Sequence, residues 1–90
     1  MYSVDYTNRF KKDLKRCAKR GLDINKILEV VKILEANGNL PAKYKPHKLV
    51  GNIQGQWECH IQPDWLMVWE QNEMELTLLF LQTGTHADLF

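Results

Sequence analysis

Residues 57–82 read WECHIQPDWLMVWEQNEMELTLLFLQ, and the three apolar-rich runs inside them decide the fold. Trp57 to Ile61, Trp65 to Glu70 and Leu76 to Gln82 have the length and the aromatic and aliphatic content of strands. Pro63 fits a bend between the first two, and Gln71-Asn72-Glu73-Met74-Glu75 fits a hairpin between the last two. In the first run Trp57, Cys59 and Ile61 share one face at period two, which sends Glu58 and His60 to the other.

Upstream, residues 37–56 lose all periodicity and gain Gly38, Pro41, Pro46, Gly51 and Gly55, the pattern of a long loop with local turns. Loops of this length in small domains are usually functional. Before the loop lie two helical patterns. Thr7 or Asn8 caps the first, whose apolar positions are Phe10, Leu14, Cys17 and Ala18 and whose stop is Gly21. Asp23 caps the second, with Ile24, Ile27, Leu28, Val31 and Leu34 as its inward stripe and Asn37-Gly38 at its end. Tyr2 to Tyr6 alternates at period two and reads as a first strand. The order predicts a single α+β domain over residues 1–90, a mainly antiparallel sheet with the two N-terminal helices packed on one face.

A 90-residue domain buries only about 60 to 65% of the surface its unfolded chain exposes, which favours a shallow cleft over a deep pocket. Such a cleft suits a polymer or a partner protein. Cys17 and Cys59 are the only cysteines, and no signal peptide or membrane-length apolar run is present, so a cytoplasmic protein without membrane contact is expected. Charge is strongly segregated under a net value of +1. Residues 1–48 carry all 12 Lys and Arg; residues 49–90 carry none, but six of the 11 acids. The basic surface calls for an anionic partner.

The chain's three histidines, His47, His60 and His86, together with Asp64, supply proton-transfer groups suited to neutral pH. Cleaving RNA without a metal requires a base for the 2′-hydroxyl, an acid for the 5′-oxygen and a donor or cation for the phosphate. His86 is the expected acid; Asp64, alone or through His60, is the expected activator of the 2′-hydroxyl. His47 and the loop lysines Lys43, Lys45 and Lys48 are expected to serve the phosphate, and Trp65 and Phe90 to position the nucleotide. Arg9, Lys11, Lys12, Lys15, Arg16, Lys19 and Arg20 are expected to form a basic face on the first helix that holds phosphates of an anionic partner. Each residue also has a plainer reading, as a turn carboxylate, a core aromatic or a solvated charge. A zinc site lacks any pair with His-Glu-x-x-His or C-x-x-C spacing, and a Ser or Cys hydrolase lacks a nucleophile elbow, so no metal or cofactor is expected.

Three separated segments resemble the YafQ branch of the RelE superfamily of bacterial toxins: His47-Lys48-Leu49-Val50-Gly51; Gly55 with Glu58-Cys59-His60-Ile61-Gln62-Pro63-Asp64-Trp65; and Thr83-Gly84-Thr85-His86 with Leu89-Phe90. The resemblance covers nearly the whole chain. It maps the family's site onto His47, His60, Asp64, Trp65, His86 and Phe90. It implies a RelE-like compact microbial ribonuclease-type fold and a type II toxin that cuts translated mRNA in the ribosomal A site, with Arg9, Lys11, Lys12, Lys15, Arg16, Lys19 and Arg20 as its ribosome-binding face. It also implies a cognate DNA-binding antitoxin of the DinJ/RelB kind. Some relatives carry a strand arginine where this chain has Trp57. The competing reading is a protein of the same fold that binds RNA or the ribosome without cutting.

Overall fold

A computed structural model describes residues 1–51 and 55–90. Along the chain run β1 (Ser3–Tyr6), α1 (Asn8–Lys19), α2 (Ile24–Asn37), a 3-10 turn (Ala42–Tyr44), β2 (His47–Lys48), β3 (Gln56–Gln62), β4 (Trp65–Asn72), β5 (Thr77–Gly84) and α3 (His86–Leu89). Thr7 caps α1 by accepting the Phe10 N–H at 3.0 Å, and its own hydroxyl donates to the Leu81 carbonyl at 2.9 Å. The helix start is thereby fixed to β5. Asp23 caps α2 through the Asn25 N–H. Gly38 ends α2 with φ +70°, and a Cβ there would strike the Tyr2 ring, so both conformation and space demand glycine.

Among the described residues the strands form one sheet in the order β1-β5-β4-β3-β2. β1 runs parallel to β5 and the other three pairings are antiparallel. A parallel pair needs a crossover, and α1 and α2 lie in the connection that leaves β1, packed together on one face. The expected α+β architecture is therefore the observed one. Phe10 and Cys17 from α1 and Ile27, Val30, Val31 and Leu34 from α2 pack on Cys59, Trp65, Met67, Trp69, Leu78 and Phe80. Burial pushes the Cys59 thiol up to about 12, as befits a small apolar group. Leu66 and Val68, cross-strand partners of His60 and Glu58, are also fully buried and lie under the opposite face.

Several expectations need correction. The inward stripe of α2 is Ile27, Val30, Val31 and Leu34, a set at helical i, i+3, i+4, i+7 spacing, which leaves Leu28 40% exposed at its edge. Ala18 is exposed, while Asp13 is buried on α1, where it accepts the Thr83 N–H at 3.1 Å and pairs with Arg16 at 3.1 Å. The loop is not structureless either: the 3-10 turn and β2 interrupt it, with His47 opposite Glu58 and Lys48 opposite Trp57. Its residues 52–54 lie outside the described residues. Residues His86–Leu89 form α3, a helix absent from the expected order of elements. No helix among the described residues is long and apolar enough to cross a membrane.

Candidate active site

His60 leaves the open face of β3 just before the register shift at His60/Gln62 that turns the chain through Pro63. Its Nδ1 lies 3.3 Å from the Pro63 carbonyl oxygen. A carbonyl only accepts, so Nδ1 donates in this contact and Nε2 is left without a protein partner among the described residues, free to face a substrate. His86 opens α3, and Asp64 Oδ1 receives both its backbone N–H at 3.1 Å and its ring Nδ1 at 2.7 Å. Here too Nδ1 donates, which leaves Nε2 as the working atom. These bonds, the side-chain one foremost, hold the Asp64 carboxyl below the usual carboxylate range. The two imidazoles lie with centroids 5.9 Å apart and planes inclined at 54°. The arrangement offers one ring nitrogen able to take a proton and a second able to give one, with a carboxylate behind the donor to stabilise its charged form.

His86 is placed by the first helix as well as by Asp64. Thr85 and Asp88 form a capping box, the Thr85 hydroxyl accepting the Asp88 N–H and the Asp88 carboxylate accepting the Thr85 N–H. The same carboxylate takes a bidentate contact from Arg20 at 2.5 and 3.2 Å and lies 3.8 Å from Arg16. Arg20 holds the Asp88 carboxyl far below its ordinary value, so this clasp persists as the pH drops through the normal range of aspartate and fails only in stronger acid. Gly84, just before α3, has a φ outside the left-handed region, so its backbone conformation alone does not require glycine. A Cβ at Gly84 would sit 2.7 Å from Asp88 Oδ2 and 3.0 Å from Arg16 Nη2, so the glycine makes room for the clasp. Gly84→Ala should therefore displace α3 and reduce cleavage by about 10- to 100-fold. The thermal midpoint should hardly move, because the helix-covered core is untouched; paired calorimetry and kinetics on the variant check both.

His47 stands on β2 with Nδ1 3.0 Å from the Lys45 carbonyl oxygen and Nε2 3.1 Å from Glu58 Oε1. Nδ1 donates to the carbonyl, and Nε2 faces the Glu58 carboxylate. Both ring nitrogens are thus engaged, and His47 is less free to shuttle protons than His60 or His86. Glu58 is only 7% exposed, and its Oε2 has no protein partner among the described residues. Glu58 is absent from the site expected on sequence, although period two places it on the face of His60. Lys43 and Lys45 line a groove of about 240 Å³ with His60, Ile61, Gln62 and Pro63.

Other expected site residues fall elsewhere. Trp65 is 1% exposed, in the helix-covered core, with its indole N–H on Thr83 Oγ1 at 2.9 Å. It has no free ring face for a nucleotide. Lys48, next to His47 on a strand, points the opposite way, and its ammonium lies 5.6 Å from the centre of the Trp57 ring. Of the seven helix cations, Arg16 and Arg20 belong to the clasp and Arg9 lies 3.6 Å from Asp13. Lys11, Lys12, Lys15 and Lys19 stand exposed. Phe90 is 75% exposed, and its N–H bonds the His86 carbonyl at 2.9 Å.

Known proteins share this framework along its whole length. The family model for the bacterial toxin of type II toxin-antitoxin system, YafQ, matches residues 2–90. The mRNA interferase toxin YafQ of Escherichia coli (strain K12) is 38% identical over 88 residues, covering 97% of this chain and 94% of that protein. A chain in the crystal structure of the E. coli DinJ-YafQ complex superposes with a TM-score of 0.92 at 36% identity, covering 100% of this chain and 99% of its own length. A metal-bound toxin from Helicobacter pylori superposes with a TM-score of 0.90 at 37% identity over 100% of both chains. In the present protein, no group of three or more His, Cys, Asp or Glu that could hold a metal ion is found among the described residues. A match that runs from the first strand to the last residue, at this identity and with the same fold, means that the chain belongs to the YafQ family of bacterial toxins of type II toxin-antitoxin systems.

Proposed function

We propose that this protein is an mRNA interferase, an endoribonuclease that cuts mRNA in the A site of the translating ribosome by acid-base chemistry without a metal. The observation that carries the mechanism is the pairing of His60 with an Asp64-supported His86. His60 Nε2 takes the proton of the 2′-hydroxyl, whose oxygen then attacks the adjacent phosphorus. The bond from phosphorus to the 5′-oxygen breaks as His86 Nε2 delivers a proton to that oxygen. The products are a 2′,3′-cyclic phosphate and a 5′-hydroxyl. Asp64 does not itself activate the 2′-hydroxyl in this scheme; it orients His86 and balances its charge. Lys43 and Lys45 hold the phosphate, with His47 behind them, and Phe90 stacks on a base. The exposed lysines of α1 rest on rRNA, and a DinJ-like antitoxin silences the toxin in the cytoplasm.

Two substrate changes test the reaction. A 2′-methoxy group or deoxyribose at the cleaved position should abolish cleavage, because the nucleophile is gone. Chelator, added under conditions that keep the ribosome intact, should leave the rate unchanged. Cleavage of the deoxy-substituted site contradicts 2′-hydroxyl attack; loss of activity with chelator contradicts the metal-free route. Intact mRNA with the wild-type toxin bound favours the non-catalytic binder.

A further inference from the structure

A second depression lies beside the groove at His60. Lys43 and Ile61 wall both, and the second, of about 290 Å³, is completed by Tyr44 and by Lys26 and Glu29 from α2. The two depressions therefore lie side by side, with Lys43 and Ile61 between His60 and the second helix. Across them Lys45, Lys43 and Lys26 supply positive charge, and Lys26, Lys43 and Glu29 are all exposed. Tyr44 packs partly on the core, which fixes its ring, and the Lys43 ammonium lies 5.1 Å from the ring centre. A cationic groove with an immobilised aromatic ring is the arrangement by which proteins hold single-stranded nucleic acid, the cations tracking the phosphates and the ring meeting a base.

We infer that the Lys26–Lys43–Tyr44 depression is a second nucleotide subsite, which holds the mRNA nucleotide flanking the one cleaved at His60. The inference rests on the reading of this chain as an mRNA interferase. Lys26 contacts the flanking phosphate, Lys43 stands between that phosphate and the one cleaved, and the base lies against Tyr44 and Ile61. The carboxylate of Glu29 opposes the phosphate and keeps the contact weak, so the strand is gripped only when the ribosome presents it. The shared walls Lys43 and Ile61 set this depression next to the His60 groove, which favours the mRNA strand over rRNA as the occupant.

The test uses the full chain with programmed ribosomes and follows single-turnover cleavage against toxin concentration. Lys26→Gln should raise the concentration for half-maximal cleavage about fivefold at an unchanged plateau rate, and should flatten its log-log salt dependence by about 0.7. Glu29→Gln should lower that concentration. Both positions are exposed, so the variants are expected to fold. The mRNA is also shortened so that it ends at the cleaved codon, first on one side and then on the other. On one side the truncation should erase the difference between wild type and Lys26→Gln. Cleavage by a wild-type chain whose two variants behave identically to it overturns the subsite alone. An effect of Lys26→Gln that survives both truncations assigns the lysine to rRNA, and an effect confined to antitoxin binding assigns it to a protein; either overturns the subsite. A wild-type chain that leaves mRNA intact overturns the interferase reading and the subsite with it.

Discussion

His86→Ala should lower single-turnover cleavage on the ribosome by at least about 10²-fold while toxin binding stays near normal. The size follows from what the ring does. Its Nδ1 is committed to Asp64 at 2.7 Å, so removal of the imidazole deletes the proton donor for the 5′-oxygen and leaves the rest of the cleft intact. Little folding energy is at stake, because the side chain is more than half exposed. His86→Gln makes a useful companion, since an amide can donate one hydrogen bond to Asp64 but cannot serve as a general acid near neutral pH. Comparable losses in both variants locate the defect in proton transfer; a large loss in His86→Ala alone would locate it in the bond to Asp64.

Trp65→Ala should cost the fold about 3 to 5 kcal/mol, the effect of emptying a fully buried aromatic site. For a domain of this size that is a fall in thermal midpoint of more than about 10 °C. It also removes the indole N–H that the Thr83 hydroxyl accepts at 2.9 Å, leaving that hydroxyl only its own bond to the Leu66 carbonyl at 2.6 Å. Urea unfolding measures the loss directly. Trp65→Phe keeps much of the volume and should unfold at an intermediate concentration of urea while cleaving mRNA at nearly the wild-type rate per folded molecule. A Trp65→Phe protein of wild-type stability that no longer cleaves would return Trp65 to the substrate.

These two residues mark how far the sequence can be read. His60, Asp64 and His86 each stand in a short, recognisable segment, and period-two alternation is enough to put His60 on the open face of its strand. The same alternation, applied one strand further on, places Trp65, Met67 and Trp69 on a common face, and all three are buried. The family resemblance puts Trp65 in the site beside Asp64, whereas the strand turns its side chain into the core. Lys48 misleads because adjacent strand residues point apart. β2 is only two residues long, too short for any periodicity to show. The α3 helix is hidden by its four-residue length, although Thr85 and Asp88 have the spacing of a capping box. Least legible is the clasp. Arg16 and Arg20 read as part of a uniform basic face, and only folding brings Asp88 to them across 68 residues of sequence from Arg20.

The division of labour between His60 and His86 is tested most directly by an mRNA whose 5′-leaving oxygen at the cleavage site is replaced by sulfur. A thiolate leaves with little need of a proton, so the general acid becomes dispensable while the base does not. His86→Ala should recover most of its lost rate on this substrate, and His60→Ala should remain impaired. Recovery by His60→Ala with His86→Ala still impaired would contradict the assignment and reverse the two roles.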